Sequence, residues 1–170
     1  MKIVAGGQTG VDRAALDAAI RLGLLYGGWV PKGGWAEDLP DPPGLLAIYP
    51  RLREAISREP AERTRLNVRD SDATLILTAG SGLGASPGTM LTEQTAAALG
   101  RPLLMVPVDR SDAVVLIKRW LDGLDRIAVP NIAGPRESEA PGIYALGRRV
   151  IESVLAERQC TVAATAPAAP

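Results

Sequence analysis

Four short stretches of this 170-residue chain lack the polar alternation of a half-exposed strand. They are residues 3–5, 74–77, 103–106 and 127–129. Continuous apolar runs are typical of strands that are buried on both faces, as in a parallel sheet covered by helices. Residues 26–30 are a candidate for a further strand. The chain is therefore constrained, first of all, to a fold that supplies helices to both faces of a sheet.

Helical patterns lie between these runs. The first is followed by Gly23 as a stop signal, the second precedes Gly100 and Pro102, the third starts at Ser111, and the last opens near Pro141. The side chains expected on their buried faces are Ala15, Ala18, Ala19 and Leu22, then Leu91, Thr95 and Ala98, then Val114, Ile117 and Leu121, and finally Ile143, Leu146, Val150 and Val154. This alternation predicts an α/β fold: a three-layer domain with a mainly parallel sheet and helices on both faces.

The segment between residues 31 and 60 is rich in proline and cannot be one regular element. Its prolines are Pro31, Pro40, Pro42, Pro43, Pro50 and Pro60. Because long loops in compact domains usually serve a function or are disordered, we interpret it as an ordered excursion on the ligand side of the sheet. A short helix is expected from Pro60, with Arg63, Asn67 and Asp70 on one polar face.

Composition limits the partners and the compartment. Nineteen basic and nineteen acidic residues leave no net charge, which disfavours bulk binding to nucleic acid or to an anionic membrane. Cys160 is the one cysteine, and no apolar run approaches the ~20 residues of a membrane span. With no leader-like segment at Met1, we expect a cytoplasmic protein. Residues 1–158 are expected to form one domain, and 159–170, rich in Ala and Pro, a disordered tail.

Histidine is absent from the chain. This excludes Ser-His-Asp and Cys-His catalysis and zinc sites built from histidine. The basic residues are sixteen Arg and three Lys, a bias that suits recognition of oxyanions or reflects the codon composition of the source.

Three loops with unusual chemistry are expected at the carboxyl edge of the sheet, where ligands of open α/β sheets bind. The first, 6–10, reads Gly-Gly-Gln-Thr-Gly; the second, 79–89, ends in Ser-Pro-Gly-Thr; the third, 131–138, places Arg136 beside Ser138. Glycines and free N–H groups at helix starts favour anions, and a guanidinium can fork onto a phosphate. Singly, each loop is equally explained by turn glycines, helix caps and an Arg136–Glu137 pair. Together they predict a pocket for an anionic ligand.

These loops, with several blocks between them, resemble the molybdenum carrier (molybdenum cofactor carrier protein) family. The matching blocks are 6–17, 28–33, 36–38, Arg63 with Thr64, Asn67 with Val68, 70–74, Gly88 and Thr89 with Thr92, 131–138, and Pro141 with Gly142. They extend from about Met1 to Leu155.

The resemblance implies a Rossmann-like domain of the circularly permuted SLOG superfamily, related to the lysine-decarboxylase-like nucleoside phosphate hydrolases. Members of the family are homo-oligomers, so a dimer or tetramer is expected. They hold molybdenum cofactor, a pterin with a phosphate and a dithiolene-bound oxomolybdenum group, or bind nucleotides. The pocket would then seat the phosphate or molybdate end, with no metal ligand assigned to the protein. The residues predicted to bind this small anionic ligand are Gly7, Gln8, Thr9, Gly10, Asp12, Arg13, Gly82, Gly88, Thr89, Thr92, Asn131, Gly134, Arg136, Glu137 and Ser138.

Two positions depart from the family patterns. After residues 31–33 a basic residue is expected, and this chain has Gly34 and Trp35. Trp35 either stacks on a pterin or purine ring or has an ordinary surface or core position. In the related hydrolases a glutamate lies four residues after the position of Gly88, and here that residue is Thr92. Glu93 comes one residue later, about 100° around a helix, and is expected to point elsewhere.

The first function expected is therefore a non-catalytic carrier of a phosphorylated heterocycle, by resemblance molybdenum cofactor. One alternative is a nucleoside-phosphate N-glycosidase that uses Glu93, Asp12 or Asp72 as its carboxylate, with Arg136 or Arg13 on the phosphate. Another is a nucleotide-sensing module. The sequence is consistent with two roles for Asp12. It stabilises the N-terminus of the first helix, or it binds a ribose hydroxyl or a pterin ring N–H.

Overall fold

The computed structural model describes residues 1–80, 86–124 and 129–164, with side chains as far as residue 156. Within these residues the chain forms a six-stranded sheet in which all paired strands are parallel. The strands are β1 (Lys2–Val4), β2 (Leu25–Val30), β3 (Leu52–Glu54), β4 (Ala73–Thr78), β5 (Leu103–Pro107) and β6 (Pro130–Ala133). Their order across the sheet is β3-β2-β1-β6-β4-β5. The predicted α/β class and parallel sheet are confirmed.

Helices cover both faces of this sheet. They are α1 (Val11–Arg21), α2 (Leu45–Ile48), α3 (Pro60–Arg69), α4 (Pro87–Ala98), α5 (Ala113–Asp122) and α6 (Ile143–Ala164). The connections through α1 (β1 to β2) and α5 (β5 to β6) run toward the β3 edge of the sheet. Those through α3 (β3 to β4) and α4 (β4 to β5) run toward the β5 edge. Since such crossovers are right-handed, the two pairs lie on opposite faces. The contacts agree: α6 packs on α1 and α5, and α3 packs on α4.

The centre of the sheet is the seam between its two halves. β6 lies between β1 and β4, with Asn131 in register with Val4 on one side and with Thr74 on the other. The apolar core extends from this seam along α1 and α6, where Ile3, Leu16 and other large side chains are fully buried. The carboxyl ends of β1 and β6 therefore open at the same edge, next to the start of α1.

Two strand predictions need correction. The last described strand is Pro130–Ala133, which starts after the predicted run at 127–129; residues 127 and 128 of that run lie outside the described residues. Residues 26–30 do form a strand, one residue longer than expected. The proline-rich segment also contains β3, which pairs with β2 as the edge of the sheet. Its short L-R-E sequence has a single buried residue, Leu52, and therefore lacks the apolar signal used to find the others.

Several helix predictions also differ from the structure. The buried face of α4 is formed by Thr89, Thr92 and Ala96, while Ala98 is exposed, because the helix turns hydroxyl groups inward. α5 begins at Ala113 instead of Ser111, and α6 at Ile143 instead of Pro141. Leu146 is 42% exposed, so it does not join the core.

The last helix continues to Ala164, so it takes in residues 159–164 of the segment predicted as a tail, and 165–170 lie outside the described residues. None of the helices in the described part of the chain is long and apolar enough to span a bilayer.

Candidate functional site

A cavity of about 270 Å³ lies at the carboxyl edge of the sheet, between the first turns of α1, α3 and α4 and the segment after β6. We call it the α3–α4 cavity. It opens at the point where the chain, after running outward from β1 to β3, crosses back through α3 to β4. Such switch points are where open α/β sheets bind ligands.

Two helix N-termini face this cavity. α3 and α4 each begin with a proline, Pro60 and Pro87, at a position where a backbone N–H would have no acceptor within the helix. The Ser86 hydroxyl accepts a hydrogen bond from the Thr89 N–H at 3.3 Å and caps α4. Because the first turn of a helix carries a partial positive charge, two such turns favour an anion without any net charge on the chain.

A buried ion pair forms the floor. The Arg63 Nη1 lies 3.0 Å from the Asp12 Oδ2, with 12% of the Arg63 side chain and 5% of the Asp12 side chain exposed. Burial raises the pKa of Asp12, and the Arg63 guanidinium opposes that shift without cancelling it. Gly6 is required here because a Cβ on it would overlap the guanidinium. Asp12 thus neutralises part of the positive charge that Arg63 brings to the cavity.

Two buried donors in the cavity wall are unsatisfied. Among the described residues, neither the Gln8 Nε2 nor the Arg63 Nε has a hydrogen-bond partner. Gln8 is 2% exposed and its Oε1 accepts from the Glu37 N–H at 3.2 Å, so only its amino group is left over. An unpaired buried donor costs about 1–3 kcal/mol. The site therefore has the composition of one that a ligand completes.

Arg136 forms the upper wall. Its guanidinium lies 5.6 Å from the centre of the Trp35 ring. Burial raises the pKa of Asp12, and the charge of Arg136 opposes that rise only slightly, after Arg63. Glu59 and Glu139 also line the cavity, so both signs of charge are present. A ligand with a negative group and hydrogen-bonding edges matches this wall better than a bare anion does.

The structure brings seven of the fifteen predicted ligand-binding residues to this cavity. They are Gln8, Asp12, Gly88, Thr89, Thr92, Gly134 and Arg136. These seven come from all three predicted loops and from the helices that follow the first two.

Four others line a different cavity of about 420 Å³, on the other side of the glycine-rich turn. We call it the tyrosine cavity, after Tyr49 and Tyr144 in its wall. The four are Thr9, Gly10, Arg13 and Glu137. Arg13 makes two 3.0 Å hydrogen bonds to Asp38, so its guanidinium is held away from the α3–α4 cavity. Gly10 has φ 76° and lies against the Pro135 carbonyl, where a Cβ would overlap.

The remaining four are spread out. Gly7 packs against Leu45 and Leu52, and the Ser138 hydroxyl donates to Glu37 at 2.6 Å. Asn131 lies inside β6, is 2% exposed, and does not line the cavity. The third predicted loop is thus strand as far as Ala133, and its loop portion starts at Gly134. Gly82 lies outside the described residues.

The carboxylates proposed for the glycosidase alternative are separated by the fold. Thr92 lines the cavity, whereas Glu93 is exposed and does not line it, as the 100° rotation predicts. Asp72 precedes β4 and accepts from the Val129 N–H at 2.9 Å, at the opposite edge of the sheet. Asp12 is the one of the three that lines the cavity.

Sequence reasoning missed the contribution of α3 to the cavity. The lining residues outside the predicted ligand-binding set are Glu59, Pro60, Ala61, Arg63, Thr64, Ser86, Pro87, Leu91, Ala133 and Glu139, of which Ser86, Pro87 and Ala133 lie within the predicted loops. Arg63 was placed on the polar face of α3, and that face was the available signal, because a polar face on a helix beside the sheet needs partners. Asn67 on the same face accepts a hydrogen bond from the Trp29 N–H at 2.7 Å.

The described residues contain no cluster of three or more side chains that could hold a metal ion.

Comparisons with known proteins agree with this architecture. The model of the circularly permutated YpsA SLOG family matches residues 3–155. A crystal structure from Syntrophus aciditrophicus SB, of a protein named "Putative molybdenum carrier protein", is 43% identical with a TM-score of 0.79. The alignment covers 91% of this chain and 94% of that one. Comparison with curated proteins gave no match.

Proposed function

The chain belongs to the circularly permuted YpsA SLOG family, and from that premise we propose that it binds and carries a phosphorylated heterocycle, molybdenum cofactor in particular, in the α3–α4 cavity. The observation that carries the proposal is the pair of unpartnered donors, Gln8 Nε2 and Arg63 Nε, identified within the described residues. A cargo with acceptor atoms would remove the cost of burying them.

The cavity suits the anionic end of such a cargo. Arg136 and the first turns of α3 and α4 supply positive potential, and the hydroxyls of Thr89 and Thr92 lie in the wall. The carrier function that we propose rests on recognition of the phosphate and the ring by these groups. The name of the Syntrophus protein points to the same class of cargo.

A loading experiment tests the proposal. Molybdenum cofactor released anaerobically from a molybdenum enzyme is incubated with the protein, excess is removed by gel filtration, and retained molybdenum and oxidised pterin are measured by metal analysis and fluorescence. We expect both to co-elute in equal amounts, and molybdate alone to be lost. Pterin and metal no higher than with an unrelated protein would contradict the carrier function.

Matched variants assign the cargo to this cavity. Gln8→Met removes an unpartnered donor, and Arg136→Ala removes the wall guanidinium; each is expected to lower retention about tenfold, since one charge-assisted hydrogen bond contributes ~1.5–3 kcal/mol. Arg149→Ala, on the exposed side of α6, is the control. Unchanged retention by both cavity variants would move the cargo to another site.

A second candidate, nucleoside-phosphate N-glycosidase, is supported by one observation. Asp12 is buried in the cavity and burial raises its pKa, which is what a carboxylic acid needs to act near neutral pH. Incubation with nucleoside 5'-monophosphates, followed by chromatography for free base, distinguishes the two functions. Base release that disappears in Asp12→Asn would replace the carrier function with the hydrolase.

The homo-oligomer and the cytoplasmic location expected from the sequence remain predictions. Analytical ultracentrifugation of the purified chain tests the first: a dimer or tetramer at micromolar concentration is expected, and a monomer would contradict it.

A further inference from the structure

A further cavity adjoins the α3–α4 cavity and combines flat rings with charged side chains. It has a volume of about 400 Å³ and is walled by the Trp35 indole and three proline rings, Pro40, Pro42 and Pro60. We call it the Trp35 slot. Pro60 lines both cavities, and Arg136, in the wall of the α3–α4 cavity, lies over one face of the Trp35 ring. The two cavities therefore meet at Pro60 and at the Trp35–Arg136 contact.

Volume alone argues that the cargo occupies more than the α3–α4 cavity. Pockets for small molecules and cofactors usually have ~300–1,000 Å³. The 270 Å³ of the α3–α4 cavity falls just below that range, while the two adjoining cavities together lie well inside it. The polar cavity has room for an anionic group, and a ring system needs the additional space.

The walls of the slot suit a flat ring. Aromatic and proline rings present flat apolar surfaces, and a heterocycle stacked on one indole gains ~1–3 kcal/mol in nucleic-acid complexes. Lys32, Arg58 and Asp41 also line the slot and offer donors and an acceptor to ring edges. With Arg136 over one face of Trp35, a ring in the slot would complete a stack of guanidinium, indole and heterocycle.

The slot is held in shape by the backbone. The Lys32 N–H donates to the Ser57 carbonyl at 2.9 Å, and the Gly33 N–H donates to the Glu54 carboxylate at 2.7 Å. The Leu45 N–H donates to the Gly34 carbonyl at 2.8 Å and closes the other end of the segment. These bonds fix the segment on both sides of Trp35, so the stacking surface exists before a ligand arrives.

We propose that the Trp35 slot holds the heterocyclic ring of the cargo while the α3–α4 cavity holds its phosphate, which makes Trp35 a specificity-determining residue of this chain. The inference rests on the proposed carrier function. It assigns the proline-rich segment a direct part in selecting cargo with a planar ring, beyond binding of the anion.

Three probes separate the ring from the phosphate: ribose 5-phosphate, guanosine 5'-monophosphate and hydroxymethylpterin phosphate, each titrated by calorimetry. We expect at least one ring-bearing phosphate to bind about tenfold more tightly than ribose 5-phosphate. Trp35→Leu is expected to remove that difference, and Trp35→Phe to restore most of it. Trp29→Phe, another tryptophan with an arginine over its ring at 5.8 Å, is the matched control.

Fluorescence gives a readout that does not depend on the folding of Trp35→Leu. Ring-bearing phosphates are expected to quench the wild-type tryptophan emission, and Trp35→Phe is expected to bind them with the quenching lost. Equal affinity for all three probes, or quenching that persists in Trp35→Phe, would overturn the ring assignment and leave the carrier function intact. A protein that binds none of the three would overturn both.

Discussion

The two sides of the glycine-rich turn form cavities of contrasting character. In the tyrosine cavity, Asp17 accepts hydrogen bonds from Tyr49 at 2.6 Å and Tyr144 at 2.7 Å. Glu137 there accepts from the N–H of Tyr144 at 2.9 Å, and the Arg13 Nε donates to the Gly7 carbonyl at 3.0 Å. The α3–α4 cavity is smaller and yet, among the residues the structure describes, contains both of the unpaired buried donors.

This contrast favours the smaller of the two cavities as the ligand site, because it is the one with unpaired buried donors. A wall whose polar groups already form hydrogen bonds with one another stabilises the fold and leaves few donors or acceptors for a ligand. A wall with unpaired donors is incomplete without one. Variants in the tyrosine cavity are therefore expected to change stability, and variants in the α3–α4 cavity are expected to change ligand retention.

The largest expected effect is on the ion pair of the α3–α4 cavity. Arg63→Met leaves the Asp12 carboxylate buried without its cation, which is expected to lower the free energy of unfolding by about 3 kcal/mol and to abolish cargo retention. Urea denaturation measures the first effect. Arg65→Met, on the exposed side of the same helix, is the control. Equal stability of the two variants would show that the Asp12–Arg63 pair does not stabilise the fold.

Alkaline pH tests the tyrosine cavity. Burial and the hydrogen bond to Asp17 raise the pKa of Tyr49 above its ordinary value of 10.0, so the unfolded chain loses that proton first as the pH rises. The stability from this hydrogen bond is complete below pH 10 and declines above it, by up to about 1.4 kcal/mol per pH unit. Urea midpoints at pH 9, 10 and 11 measure it. Tyr49→Phe is the control: it lacks the part of the decline that comes from Tyr49 and keeps the part from Tyr144, whose pKa is raised by burial and by its hydrogen bond to Asp17. A parallel decline in both proteins would exclude Tyr49 as the cause.

At neutral pH, Tyr49→Phe separates structural from ligand-binding groups. Asp17 loses one of its two tyrosine donors, which is expected to cost about 1 kcal/mol. Cargo retention is expected to stay at the wild-type level, because the α3–α4 cavity is unaltered. A large loss of retention with unchanged stability would place the ligand in the tyrosine cavity.

The smallest expected effect is at Gly88, in the first turn of α4. The nearest atom to an added Cβ is the Ser86 Oγ at 3.9 Å, so alanine fits and is expected to stabilise the helix by about 0.5 kcal/mol. The same methyl group occupies the cavity, and retention is expected to fall. Gly147→Ala in α6, whose Cβ meets only ordinary contacts at 3.7 Å or more, should gain stability without that loss. A Gly88→Ala protein that retains cargo fully would show that the ligand does not approach this turn.

Much of the fold could be predicted from the sequence because three of the strands, β1, β4 and β5, contain continuous apolar runs. The 74–77 and 103–106 runs lie within β4 and β5, and the 3–5 run overlaps β1. β3 has one buried residue and follows a proline-rich stretch, so neither periodicity nor apolar content revealed it. A strand of three residues such as β3 depends on pairing with its neighbour β2, which a short sequence window does not contain.

The site could be predicted only in part, for a related reason. Glycines and hydroxyls next to a strand end mark Gln8, Gly88 and Thr89 directly, because their role depends on local backbone. The Arg63–Asp12 pair joins residues 51 positions apart, and Arg13 turns to Asp38 instead of the cavity. Which arginine enters a cavity is decided by tertiary contacts: Arg63 lines the α3–α4 cavity, and Arg13, which was predicted to bind the ligand, does not line it.

β6 is the last of the six described strands in chain order, and it lies in the middle of the sheet. While only the first 129 residues have been synthesised, the β3-β2-β1 and β4-β5 halves lack the strand that joins them. Gly134 and Arg136 follow β6 immediately, so the same late event closes the sheet and delivers the arginine to the cavity wall. A nascent chain therefore completes the wall of the α3–α4 cavity only after β6 has joined the two halves of the sheet.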